Sequence, residues 1–196
     1  MKSLIEKEAL KVAPHIYEIA YLTRRLEIIE NLSESKDFNV IVNLVSNKKC
    51  TKSVFEKFYN YADFRIRCNV ARNPNCPIEI LEKLSNDSDW YVRENVASNK
   101  NCSVEILKKL SDDSHWSVRG SVAHNPNCPV EILEKLSNDS NLNVQYDVLK
   151  NSNCTVKILE KLSRHSSKDV RYFCLTHPNF PEKIMKKISI REMVPN

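Results

Sequence analysis

Five cysteines, Cys50, Cys76, Cys102, Cys128 and Cys154, stand 26 residues apart, and Phe180 takes the next place. The pentapeptide Asn73-Pro74-Asn75-Cys76-Pro77 returns at 125–129, with a degraded copy, Asn99-Lys100-Asn101-Cys102-Ser103, halfway between. The residues that follow keep the same step. IEILEKLSNDSDWYVRENVASN (78–99) becomes VEILKKLSDDSHWSVRGSVAHN (104–125), then VEILEKLSNDSNLNVQYDVLKN (130–151) and VKILEKLSRHSSKDVRYFCLTH (156–177). Residues 53–73 and 26–47 are fainter copies. Such a period implies a stack of small units, none able to bury its apolar stripe without its neighbours.

Each unit reads as two short helices. Over 77–85, Ile80, Leu81 and Leu84 fall in one sector and Glu79, Glu82 and Lys83 on the other. Pro77 suits a first helical turn, which makes Cys76 the N-cap, with Glu79 three residues on. A second element over about 89–97 buries Val92 and Val96, between Ser-Asn-Asp-Ser and Asn-Pro-Asn breakers. The expected fold is an all-α superhelical solenoid of about six 26-residue two-helix repeats. They start near residues 24, 50, 76, 102, 128 and 154 and fill 24–179. Residues 1–23 read as an N-terminal capping helical segment, bent or broken at Pro14, and 180–196 as a C-terminal half-repeat cap and tail. At a helix spacing of roughly 8–10 Å the rod is about 50–60 Å long.

Composition narrows the function. The single glycine, Gly120, leaves no room for a Walker loop, a GxGxxG turn or a GxSxG elbow. No apolar run is long enough to cross a membrane, and the charged start MKSLIEKEALKVAPH is unlike a secretory signal, so a cytoplasmic protein is expected.

The combination NPNCPxEILEKL with VRxxVAxNPN resembles the leucine-rich repeat variant family, over about residues 63–140. The resemblance implies a right-handed solenoid of alternating α- and 3₁₀-helices, related to HEAT-type arrays. The period here is slightly longer than the family's usual one, which leaves a true α-helix open for the second element. A known member carries an N-terminal cysteine cluster for an iron–sulfur centre. Nothing here matches that cluster, and no cofactor is expected.

The chemistry-bearing residues have structural readings. Cysteines one repeat apart are too far apart for a disulfide or a shared zinc ion, so they read as reduced core residues, as does Cys174 in the column of Val96, Val122 and Val148. His15, His115, His124, His165 and His177 form no HExxH-like pair. Arg67, Arg93, Arg119 and Arg171, with Gln145 in the same column, flank the buried stripe and should reach helix ends or turn aspartates such as Asp87 and Asp113. Glu79–Lys83, Glu105–Lys109 and Glu131–Lys135 read as i,i+4 pairs on the outer face.

Outward columns that change from unit to unit are where a solenoid builds a ligand face. On the second helices these include Trp90, Tyr91, Trp116, Tyr146 and Tyr172, and aromatic residues of this kind anchor interfaces. The bland alternative is that Trp90 and Trp116 only cover the junctions between units. The leading expectation is a non-catalytic scaffold that binds another protein through this face, with no membrane partner. The alternative is a nucleic-acid binder that uses the basic, aromatic stretch 48–72, with seven Lys/Arg against two Asp/Glu. Its contacts would be Tyr59, Tyr61, Arg65 and Arg72. Residues 73–156 are acidic, with eight Lys/Arg against twelve Asp/Glu, which opposes a continuous nucleic-acid groove. A third class, an enzyme of the HEAT-like DNA-glycosylase kind, has no catalytic residue to nominate.

Overall fold

A computed structural model describes residues 28–182. The expected capping segment 1–23, with its bend at Pro14, and all but the first residues of the half-repeat at 180–196 lie outside that range. After a helical stretch over 28–33, the elements are α1 (Phe38–Ser46), α2 (Lys52–Phe58), α3 (Phe64–Arg72), α4 (Ile78–Leu84), α5 (Trp90–Ser98) and α6 (Val104–Leu110). The series continues with α7 (Trp116–His124), α8 (Val130–Leu136), α9 (Leu142–Lys150), α10 (Val156–Leu162) and α11 (Lys168–Leu175). Starts of equivalent helices differ by 26 residues, so the sequence period is the structural period. Every second helix is α-helical, which settles the choice between α and 3₁₀.

Each unit buries one set of side chains between its two helices and its neighbours. In the unit at 76–101 these are Cys76, Ile80, Leu81, Leu84, Val92, Val96 and Ala97. Each large aliphatic among them contributes roughly 1.5–3 kcal/mol by leaving water. Cys102, Cys128 and Cys154 repeat the Cys76 position in the core, and Phe180 continues it, also buried. Phe55 and Phe58 are buried as their columns predict. The first helices begin one residue later than expected. Pro77 is itself the N-cap of α4, and Cys76 points inward, its Sγ 3.8 Å from the Pro77 carbonyl oxygen. At two of the positions where serine or threonine replaces that proline, the hydroxyl caps the helix: Ser103 accepts from the Ile106 N–H and Thr155 from the Ile158 N–H, whereas Thr51 makes no such bond.

The repeated asparagines explain both the pentapeptide and the shortage of glycine. A helix usually leaves its last carbonyls to a glycine in left-handed conformation. Here the C-caps Asn73, Asn99, Asn125 and Asn151 are extended, and no described residue has a positive φ. The carbonyls are instead met from the next unit. The Asn99 amide donates to the Ala71 carbonyl at 2.6 Å and to the Asn73 carbonyl at 2.9 Å. Asn125 does the same to Ala97 and Asn99, and Asn151 to Ala123 and Asn125. Each side-chain oxygen also accepts from the N–H two residues on, as Asn99 does from Asn101, and so sets the turn. The second asparagine of each motif joins in: Asn101 donates to the Pro74 carbonyl and Asn127 to the Lys100 carbonyl. The result is a buried ladder that ties each second helix to the one before.

Backbones of successive second helices lie against one another, whereas successive first helices approach far less closely. The rod therefore curves with the second helices inside and the first helices outside.

Candidate functional site on the second-helix face

Three rows of polar side chains belong to the skeleton and leave the face to other residues. Arg93 donates to both oxygens of Asp113 in the next unit, at 2.6 and 2.8 Å, and to the Asp87 and Ser88 carbonyls of its own turn, at 2.7 and 3.2 Å. Arg67 holds Asp87, and Arg119 holds Asp139, in the same way. These pairs are nearly enclosed: the Arg93 side chain is 15% exposed and Asp113 6%. Burial pushes the Asp113 and Asp139 carboxyls up. Bonds from Arg93 or Arg119 and from the backbone N–H two residues on outweigh it, and both sit below the ordinary carboxylate value. Arg67, Arg93 and Arg119 thus hold units together, as their register beside the buried stripe predicted, while Arg171 bonds the His165 and Ser166 carbonyls of its own turn.

The outer lysines differ from expectation. Lys109 and Lys135 reach back one unit, to the hydroxyls of Ser85 and Ser111 at 2.9 Å, and not to Glu105 and Glu131, and Lys161 reaches the Ser137 hydroxyl at 2.8 Å in the same way. Glu79 pairs instead with Lys52, at 3.8 Å. An i,i+4 glutamate offers a lysine only a solvated partner. The serine at the end of the preceding first helix is buried and has an oxygen to share.

The cysteine thiols take no part in surface chemistry. Burial pushes Cys76, Cys102, Cys128 and Cys174 up to about 12, and Cys50, Cys68 and Cys154 to about 11. All seven are free, and they are protonated at neutral pH and hence poor nucleophiles and ligands. No grouping of three or more metal-ligating side chains occurs among the described residues. No helix there is long and apolar enough to cross a membrane.

What remains on the inner face is aromatic. Trp90, Tyr91 and Trp116 are 40%, 38% and 41% exposed. Trp90 stacks on His115 of the next unit, with ring centroids 3.9 Å apart at 18°, and His115 lies 5.9 Å from Trp116. Trp90 therefore covers a junction and shows area to solvent at once, and Trp116 is equally exposed. His115 is also the N-cap of α7, where its ring accepts from the Ser117 N–H. Its place in the stack is a tertiary fact that no sequence column marks. Tyr146 is half-buried against the core, and its ring meets Phe173 edge-on at 5.1 Å. Tyr172 and Phe173 are exposed, and Phe173 was absent from the sequence-based candidates because its column holds Asn69, Asn95, Ser121 and Asp147 elsewhere.

The other candidate set is scattered and engaged. Tyr59 ends a first helix, in the serine column, and its ring carries Lys83 at 4.7 Å. Tyr61 packs on Phe58. Arg65 pairs with Asp63 at 2.5 Å and covers Phe38 at 4.3 Å. Arg72 donates to Asn95 at 3.0 Å and to the Tyr91 hydroxyl at 3.3 Å.

Near the middle of the inner face lies a notch of about 310 Å³. Its floor is Gly120, and Glu94, Trp116 and Asp147 are among its walls. A Cβ on Gly120 would lie 2.8 Å from Asp147 Oδ2, so the glycine makes room for that carboxylate.

The sequence model of the leucine rich repeat variant family matches residues 64–89 and 116–141. Among solved structures, the chain is similar to an engineered protein from a structural genomics consortium, at 18% identity, covering 74% of this chain and 93% of that one, with a TM-score of 0.43. It is also similar to a leucine-rich repeat variant described as having a novel repetitive structural motif, at 19% identity over 77% of this chain and 70% of that one, with a TM-score of 0.39. No curated protein matches in sequence. Each family match spans one second helix and the first helix that follows it, in register with the 26-residue period. The repeats at 64–89 and 116–141 match the leucine rich repeat variant model, and the described residues form a helical repeat solenoid of the same 26-residue step.

Proposed function

We propose that the protein is a non-catalytic scaffold that binds a protein partner through the second-helix face of the units 76–101 to 128–153. We place it in the cytosol, where thiols stay reduced. One observation carries the reading. Among units tied by the same asparagine ladder, Trp90, Tyr91 and Trp116 hold large apolar area in solvent on the inner face, with Tyr146 half-buried in the following unit. Exposed aromatic area of this kind marks association surfaces. The internal bonds of Tyr59, Tyr61, Arg65 and Arg72, spread over both faces, favour this reading over a nucleic-acid groove.

The test is photo-crosslinking from positions 91 and 117, against positions 79 and 105 on the first helices, in the native cell. A partner trapped from the inner positions should bind the double variant Trp90→Ala, Trp116→Ala more weakly by over about 2 kcal/mol, with helical content unchanged. Normal binding by that variant, or cross-links only from 79 and 105, would move the interface to the outer helices.

A further inference from the structure

We infer that the notch over Gly120 is a binding site for one basic side chain, lysine or arginine, presented by a protein segment lying along the inner face. The inference rests on the scaffold reading above and names the chemistry of its partner. Gly120 occupies the column that holds Glu94, Tyr146 and Tyr172 in neighbouring units, so only this unit leaves the column empty. The hole is flanked by a carboxylate from each neighbouring unit, Glu94 before it and Asp147 after it, with the exposed indole of Trp116 alongside.

Charge decides the occupant. Arg93 and Arg119 come from the same helices but are drawn into their bonds with Asp113 and Asp139, so neither neutralises the notch. Glu94 accepts the Ser117 hydroxyl at 2.6 Å, and Asp147 pairs with Lys150 at 3.2 Å, a lysine whose side chain is 60% exposed. His124 stands among the lining residues. An anionic group entering here would meet two carboxylates. An ammonium or guanidinium gains charge-assisted hydrogen bonds from both sides, and its alkyl stem and charge both suit the Trp116 ring. The surrounding stretch 73–156, with its excess of Asp and Glu, attracts a basic segment towards the same place.

The probes are four blocked tripeptides, acetyl-Gly-Xaa-Gly-amide, with arginine, lysine, citrulline or norleucine in the centre. Each is titrated into the ¹⁵N-labelled full chain. The arginine and lysine peptides should shift the Trp116 indole and Gly120 amide signals saturably, less so as salt is raised. Citrulline and norleucine peptides should leave them in place at the same concentrations. Glu94→Gln with Asp147→Asn should weaken the arginine peptide at least tenfold. Gly120→Ala keeps both charges but sets a Cβ 2.8 Å from Asp147 Oδ2, so it should weaken the peptide by displacing that carboxylate and narrowing the notch. Equal shifts from citrulline and arginine, stronger binding of norleucine, or arginine-induced shifts confined to the outer glutamates would overturn the inference. If the arginine peptide fails while a partner still cross-links from position 91, the notch assignment falls and the scaffold reading stands. If the peptide binds but no protein is ever trapped on that face, the notch stands and the scaffold reading falls.

Discussion

The junction between α5 and α7 and the junction between α9 and α11 occupy equivalent places in the repeat, yet they are held differently. At the first, Arg93 reaches Asp113, and the Asn125 amide closes the end of α5 through the Ala97 and Asn99 carbonyls. At the second, Gln145 stands for the arginine and His165 for the aspartate. Each replacement keeps its local bond: Gln145 donates to the Asp139 carbonyl at 2.7 Å, and His165 accepts from the Ser167 N–H at 3.0 Å. The bond between units is gone, and the Gln145 Oε1 is buried without a partner. His177 likewise keeps the turn bond of the asparagine it replaces, accepting from the Asn179 N–H, but makes neither of that asparagine's bonds to the preceding helix. The α9 and α11 backbones lie less close together than α5 and α7 do, and the Tyr146–Phe173 contact sits between them. Polar ties and aromatic packing are thus alternative ways to join the same two helices. Only the polar ties demand a fixed geometry.

The largest expected effect comes from breaking a central tie. Arg93→Ala leaves Asp113 enclosed and unpaired, and should lower stability by about 3 kcal/mol in urea unfolding followed by circular dichroism. Gln145→Ala at the last junction should lower it by about 1 kcal/mol or less. Equal losses would erase the distinction. Asn125→Ala removes both carbonyl bonds and the turn bond to the Asn127 N–H, and should lose about 2 kcal/mol in the same assay. Installing the missing tie, Gln145→Arg with His165→Asp, should raise stability by about 1.5 kcal/mol, more than either change alone.

Acid gives the smallest effect. Asp113 and Asp139 are held below their unfolded value of about 3.9. Their contribution is therefore present above about pH 4 and lost as pH falls through the lower folded values. Acid should accordingly loosen the central junctions first. Asp139→Asn should reduce the drop in melting temperature between pH 5 and pH 3, and an unchanged drop would place the acid sensitivity elsewhere.

Much of this architecture was legible in the chain. Period, helix count per unit, the buried cysteines and the lean of Arg93 towards a turn aspartate all follow from columns read at a step of 26. Columns state which residues are equivalent, but not which neighbouring unit a long side chain leans towards. That is why Lys109 and Lys135 read as partners of Glu105 and Glu131, although they reach the serines one unit back. The asparagines of NPNCP read as breakers because their task, closing the helix of the preceding unit, exists only once units are stacked. On the face, Trp90 and Trp116 were visible as variable aromatics. The stacked His115 between them and the notch beneath Trp116 arise from two or three units meeting, and no single repeat encodes them.

Native-state hydrogen exchange, read segment by segment by mass spectrometry, tests most directly whether cross-unit polar ties set the strength of each junction. Amides of α11 should exchange through openings that leave α5 and α7 protected, and the Gln145→Arg, His165→Asp variant should slow α11 towards the rate of α7. Uniform protection across α5, α7 and α11, or an α11 rate that ignores the restored pair, would contradict the account.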